Sequence, residues 1–261
     1  MLPSYKEPAK TFLHRRHCCA RRANLAPGPG VATGAREPPQ VSAVMMGAMR
    51  LDHVSYAVAR DSFVSTVQWL GSALGASFTD GGVHPRFGTR NFVLPLAGGT
   101  YVEVVTTLDH PAADRALFGR AVAERAAQGG GWLGWVVGVD DIAPIEARLG
   151  RTADEGHRVR PDGFDLRWRQ IGVRELIEDP QLPYFLQWLV APEEIPSASP
   201  RTATSISGLS IAGEPKAVLE FLGQPAEHPL EQTEVTWVDA EEDETGLTAV
   251  EFATANGPVT I

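Results

Sequence analysis

Apolar and polar residues alternate along Leu51–Val58 (LDHVSYAV), with Leu51, His53, Ser55 and Ala57 on one face and Val54, Tyr56 and Val58 on the other. A period of two predicts a half-buried strand. Over Ser62–Leu74 the period lengthens: Phe63, Val67, Leu70 and Leu74 share a helical face, and Gly75 ends the pattern as a C-cap. A weaker strand follows around Ala76–Thr79. Asn91–Leu96 and Tyr101–Thr106 are then joined by Ala97-Gly98-Gly99, short enough for an antiparallel hairpin. The order through residue 107 is βαβββ, and a helix predicted over Pro111–Gln128 leads to the break Gly129–Gly131.

The order then repeats. Trp132–Val139 reads as a strand, Ile142–Leu149 as a short helix, and Gly156–Arg160, Asp165–Ile171 and Tyr184–Val190 as three further β segments. Residues 49–192 are therefore expected to form a paired βαβββ domain. Residues 193–204, rich in Pro, Ser and Thr, read as a linker. Residues 205–261 begin a shorter βα unit: strand Ser207–Ala212, helix Pro215–Leu222 ended by Gly223, then Glu234–Val238, Leu247–Thr254 and Val259–Ile261, with the acidic insert Asp239–Glu244 as a solvated loop. The fold class is α+β: tandem modules forming a curved mixed sheet, or cup, with a partial C-terminal unit.

Charge separates the first 48 residues from this body. They carry seven Lys or Arg against Glu7 and Glu37, and removing that +5 from the total of −9 leaves −14 for the remainder. So acidic a body repels phosphate backbones, which excludes nucleic acid as a general partner. Pro27–Gly30 and Arg36–Pro39 interrupt any period in the tail, which is expected to be a disordered basic extension. It is either a targeting segment or sequence upstream of a start at Met45, Met46 or Met49, the second being favoured because no amphipathic helix is present. Cys18 and Cys19 are adjacent and fit neither a disulfide framework nor metal-ligand spacing. With no apolar run long enough for a membrane span and no secretory h-region, a cytoplasmic location is the expectation. Neither a Gly-x-Ser-x-Gly elbow nor a cysteine nucleophile occurs in the body.

The segments LDHVSYAV, HPRFGTRNFVLPL, GGTYVEVV, RPDGFDLRWR and LPYFLQW, in this order from Leu51 to Trp188, resemble the glyoxalase-like branch of the vicinal-oxygen-chelate superfamily. The resemblance implies paired modules curled around one cavity, with ligands from the first and last strand of each. Many members hold a divalent metal (Zn, Mn, Fe or Mg) that chelates two neighbouring substrate oxygens, and others sequester ligands without metal. Carried over, the first-strand position falls on His53 and the last-strand position on Glu103. In module two the last-strand position falls on Gln187 and the first-strand position near Gly134, which has no donor. The expected metal ligands are thus His53, Glu103 and Gln187, with Glu103 also the catalytic ligand or base. His84, Phe87 and Trp168 are expected to contact substrate from a loop at the rim and from the aromatic wall. The implied function is a small-molecule-binding protein, a metal-dependent isomerase or lyase, or alternatively a metal-free, resistance-type binding protein; a homodimer is allowed.

Bland readings compete at each position. A strand histidine is more often a surface or hydrogen-bonded residue than a ligand, and Gln187 is as readily a structural hydrogen bonder. Glu103 is the stronger case, because a carboxylate between apolar neighbours in Tyr-Val-Glu-Val-Val needs a partner. Trp135 and Trp188 are expected in ordinary core packing, and Arg160, Arg167 and Arg169 on solvated faces more often than at an anionic substrate.

Overall fold

The computed structural model describes residues 49–223, 228–240 and 244–261. The expected basic extension, with candidate starts Met45 and Met46, lies outside the described residues, as does part of the acidic insert. Module one runs β1 (Arg50–Ala57), α1 (Phe63–Leu74), β2 (Thr79–His84), β3 (Thr89–Pro95) and β4 (Tyr101–Thr107). The helix predicted over 111–128 is two: α2 (Pro111–Arg115) and α3 (Leu117–Ala127), separated at Ala116, whose backbone is extended. The break brings Gly119 so close to the backbone of Phe87 and Ala113 that a Cβ there would lie 2.4 Å from the Phe87 carbonyl oxygen. Module two follows as β5 (Gly131–Gly138), α4 (Ala143–Leu149), β6 (Asp154–Val159), β7 (Asp165–Ile171), α5 (Glu175–Glu178) and β8 (Tyr184–Trp188).

Strand pairing closes the expected cup into a barrel of order β1-β4-β3-β2-β6-β7-β8-β5. Each module is wired alike: the first strand runs parallel to the last (β1 with β4, β5 with β8), and the middle strands are antiparallel neighbours. One seam is the antiparallel β1–β5 pair. The other rests on a single residue pair, Val83 with Val159. At that seam Gly82 adopts φ 103°, and a Cβ on it would lie 2.0 Å from the Val159 carbonyl oxygen. The preceding shift of register between Asp80 and Gly82 is a bulge that bends the strand toward its partner.

Burial divides into an outer and an inner core. Outside the barrel, Val54, Trp135, Val137 and Phe185 pack with Ile142 and Ile145 at α4. The same outer core continues into the C-terminal unit: β9 (Ser205–Ala212), α6 (Pro215–Leu222), β10 (Glu234–Val238), β11 (Gly246–Thr254) and β12 (Gly257–Thr260). This unit has the βαβββ order, but its sheet runs β10-β9-β11-β12, with β10 parallel to β9, so it is wired differently from the two modules. It covers the outside of β5, where Trp132 Nε1 donates to the Ile261 carbonyl at 2.8 Å. Inside, α3 and α5 supply Phe118, Ala121, Val122 and Leu176 to an apolar cluster with Phe87, Val136, Trp168, Tyr184 and Leu186. Part of the barrel interior is therefore filled with hydrocarbon and part is lined by polar groups.

Because the second seam has one residue pair, Gly82→Ala is expected to cost about 3 kcal/mol, from strain at positive φ and the clash with Val159. Gly99→Ala, at φ 75° but with nothing within 4 Å, should cost only about 1 kcal/mol. Urea denaturation of the two variants checks this; equal losses would mean the seam carries no strain.

Candidate active site

Strand alternation in module one aims His53 and Ser55 of β1, Tyr101 and Glu103 of β4, and Thr89 and Asn91 of β3 at the barrel interior. Glu103 sits at their centre and is only 4 % exposed. Its Oε2 accepts from the Ser55 hydroxyl at 2.7 Å and its Oε1 from Asn91 Nδ2 at 2.6 Å. His53 Nε2 lies 3.9 Å from Oε2, and His84 Nε2 lies 3.9 Å from Oε1. Desolvating a carboxylate costs several kcal/mol, and hydrogen bonds to a charged group return about 1.5–3 kcal/mol each. Two short bonds thus offset most of the penalty. Burial pushes the Glu103 carboxyl up, but the two imidazoles and the Ser55 and Asn91 donors outweigh it and hold the group below its ordinary range.

His53 is oriented by a residue that alternation hides. The β1–β5 register shifts between Leu51 and His53, a bulge centred on Asp52. A bulge re-aims side chains, and here Asp52, fully buried, shares the inner side with its neighbour. His53 Nδ1 donates to Asp52 Oδ1 at 2.8 Å, while Asp52 Oδ2 accepts from Trp188 Nε1 at 2.9 Å and from Arg50 Nη1 at 3.4 Å. The imidazole stacks on Tyr101, with centroids 4.3 Å apart, and Nε2 is 3.3 Å from the Tyr184 hydroxyl. Burial, then the Glu103 and Asp52 charges, outweigh a hydrogen bond with Ser55 and push the Tyr184 phenol well above its ordinary range, so it stays protonated. Ser55 gives its hydroxyl to Glu103 and not to His53, so Asp52, His53 and Ser55 do not form a nucleophilic triad.

His84 ends β2 and is buried, not held in a rim loop. Its Nδ1 shares a 2.8 Å hydrogen bond with the Thr89 hydroxyl, and its ring is packed by Phe87, Phe118 and Trp168, with centroids 6.0–6.3 Å away. Burial lowers its pKa from 6.5 to about 4 despite the attraction of Glu103. From β6 of module two, Arg158 reaches in and donates from Nη1 to Asn91 Oδ1 at 3.0 Å. These groups, with Gln170, Leu186 and Trp188, line a cavity of about 20 Å³, space for one water-sized occupant. Trp168 also lines an outer pocket of about 220 Å³ with Arg86, His157 and Arg167. The two thus share the Trp168 indole in their walls.

A family model described as a glyoxalase-like domain matches residues 51–258. The chain belongs to the glyoxalase-like family. Its fold is that of the vicinal-oxygen-chelate superfamily. A solved hypothetical protein from Staphylococcus aureus superposes with a TM-score of 0.60 at 13 % identity, covering 82 % of this chain and 95 % of that one. Methylmalonyl-CoA epimerase from Mycobacterium tuberculosis gives a TM-score of 0.40 at 17 % identity, covering 58 % of this chain and 96 % of that one. No match was found among curated proteins.

For this glyoxalase-like chain the structure brings His53, Glu103, His84, Phe87 and Trp168 together and leaves Gln187 out. Gln187 lies on the outer side of β8, where Nε2 donates to the Asp140 carbonyl at 2.8 Å and Oε1 accepts from Ile142 N at the start of α4. The reason is register. Val136 faces Tyr184 across β5–β8 as His53 faces Tyr101 across β1–β4. Tyr184-Phe185-Leu186 thus corresponds to Tyr101-Val102-Glu103, and aligning Gln187 with Glu103 slips the strand by one residue and flips its faces. The same slip corrects Trp188, which lines the cavity instead of the outer core. Trp135 does pack outside, donating to the Gln181 carbonyl at 3.0 Å. Gly134 faces inward against Leu176, but the counterpart of His53 is Val136.

By this register the ligand positions that the resemblance implies in module two fall on the hydrocarbon side chains Val136 and Leu186. In module one both Glu103 oxygens are engaged, and the two imidazoles flank opposite ends of the carboxylate. Among the described residues no three His, Cys, Asp or Glu side chains converge at metal-binding distance. The donor set does not fit the divalent ion that the resemblance implies. Nor does any described helix have the length and apolarity to cross a membrane. Arg160, Arg167 and Arg169 pair with Asp162 and Glu194, with Asp165, and with Glu146, away from the cavity.

The buried His84 makes stability depend on pH. The unfolded imidazole takes its proton near 6.5 and the folded one only near about 4, so between these values the unfolded state binds more protons. Stability is full above pH 6.5 and falls as pH drops through this window, by about 3 kcal/mol in total. Glu103 adds a loss of the same sign at lower pH. Chemical denaturation from pH 7 to 4 should show this slope, and His84→Phe should flatten it; an unchanged slope in the variant would contradict the assignment.

Proposed function

We propose that this glyoxalase-like protein is a proton-transfer enzyme of the isomerase or lyase kind, acting on a small molecule bound inside the barrel. The observation that carries the reading is the division of labour on His53: Nδ1 is committed to Asp52, which leaves Nε2 directed into the cavity beside Tyr184 and Glu103. In this scheme Nε2 accepts a proton from a substrate C–H or O–H bond. The imidazolium so formed lies between the Asp52 and Glu103 carboxylates and returns its proton to a different atom or face of the substrate, or Tyr184 protonates that position and its phenolate then takes the imidazolium proton. Glu103 acts as a fixed anion, its two oxygens held by Ser55 and Asn91. His84, kept neutral by burial, serves as a hydrogen-bonding wall with Phe87 and Trp168. A substrate larger than one water needs the cavity to widen, and Trp168, which lines both the inner cavity and the outer pocket, is the side chain whose movement would join them.

A second reading, sequestration of a ligand without turnover, is favoured by the hydrocarbon at Val136 and Leu186, which removes half of the family's polar positions. Proton exchange separates the two. Chelator-treated protein is incubated in D₂O with a panel of small 2-oxo and 2-hydroxy carbonyl compounds, and loss of the α-proton signal is followed by NMR. The expected outcome is exchange that drops to background in His53→Asn and about 10²–10⁴-fold in Asp52→Asn. Binding without exchange would replace the enzymatic reading by sequestration, and exchange untouched by His53→Asn would remove the base.

A further inference from the structure

Arg158 stands apart from the other arginines of module two. Arg160, Arg167 and Arg169 are partly or largely exposed and each pairs with a carboxylate. Arg158 is 3 % exposed, and among the described residues no carboxylate oxygen lies within salt-bridge distance of it. Among the described residues its one side-chain hydrogen bond goes to the neutral Asn91 amide, and its Nε has no partner. A buried cation with no carboxylate in direct contact is costly, and proteins retain one where a ligand can complete it.

The surroundings keep this guanidinium in place and unpaired. Asn91 stands between Arg158 and Glu103, accepting from one through Oδ1 and donating to the other through Nδ2. The two charges are thereby held in one cavity without forming an ion pair that would consume both. On the neighbouring strand, Gly81 leaves the space: a Cβ there would lie 2.6 Å from Arg158 Nη1 and 2.1 Å from Asn91 Oδ1. The lining residues of the cavity include both Arg158 and His53.

We infer that Arg158 is the anion-binding group of the cavity and that the ligand is a small carboxylate whose proton-bearing or oxygen-bearing neighbouring carbon faces His53. This rests on the proton-transfer reading for the role of His53, and deepens it by naming the ligand class. A planar guanidinium with free N–H groups matches the two oxygens of a carboxylate, and the ligand would supply the direct carboxylate contact that Glu103, held off behind Asn91, and Asp80 do not make. The geometry orders the ligand: anion at β6, reacting atom at β1.

Tryptophan fluorescence tests the inference, since Trp168 and Trp188 line the same cavity. Acetate, glycolate and pyruvate are titrated into the full chain beside acetamide, glycolamide and pyruvamide. The expected result is saturable binding of at least one carboxylate, with its amide weaker by about tenfold or more. Arg158→Lys should weaken the carboxylate by a similar factor while leaving the thermal transition in place; Arg158→Met should remove the preference for charge. Equal binding of acid and amide, no binding of any of the three acids, or unchanged affinity in a folded Arg158→Lys protein would each overturn it. If Arg158→Met does not fold, the acid-against-amide comparison on the unaltered chain decides alone. Because the titration reads binding without turnover, its failure leaves proton transfer standing, and absence of exchange in D₂O leaves anion binding standing.

Discussion

An ionised carboxylate buried at the centre of a barrel must be satisfied from every side, and the Glu103 side chain imposes that demand on all four strands of module one. Its own strand, β4, places it. From β1 come the Ser55 hydroxyl and the His53 imidazole, from β3 the Asn91 amide, and from β2 the His84 ring. Through Asn91 the constraint crosses the seam to Arg158 on β6. The interior is consequently polar where module one faces it. Elsewhere α3 and α5 fill it with hydrocarbon, so the polar cluster sits in a low-dielectric setting that strengthens each of its contacts.

The two modules share their wiring and differ in chemistry. Tyr101 and Tyr184 occupy corresponding places, facing His53 and Val136. Val136 and Leu186 stand where the resemblance would place donors in module two, so most of the cavity's titratable groups come from module one. What module two contributes instead is the Tyr184 hydroxyl, the Trp188 indole that fixes Asp52, and Arg158. The site is a hydrogen-bonded network around a pair of carboxylates, with the C-terminal unit packed outside β5 and, among its described residues, contributing no side chain to the cavity lining.

Much of the architecture was legible in the chain. Alternation in LDHVSYAV and YVEVV placed His53 and Glu103 on one face, and helices with regular apolar periods ended at the glycines expected of them. Three features were hidden, each for a physical reason. Asp52 is one residue from His53, so a period of two sends it to the opposite face; only the bulge, which needs the partner strand, brings it back. Gln187 was misplaced by one residue of register, a slip that the shared tyrosine of TYVEVV and PYFLQW could have prevented. Arg158 lies two residues before the partly solvated Arg160, and nothing local distinguishes a buried guanidinium from an exposed one. The aromatic group His84, Phe87 and Trp168 was grouped correctly, although the loop expected around His84 is the end of a buried strand.

Long-range proton–nitrogen correlation spectra of the imidazoles test the central geometry most directly, because they report which ring nitrogen of His53 carries the proton. With Asp52 holding Nδ1–H and the cavity facing Nε2, His53 should be found as the Nδ1–H tautomer when neutral, and Asp52→Asn should shift the population toward the other form. A ring protonated on Nε2, or one averaging freely between tautomers as a solvated histidine does, would mean that the carboxylate–imidazole pair does not exist and that the barrel has no base.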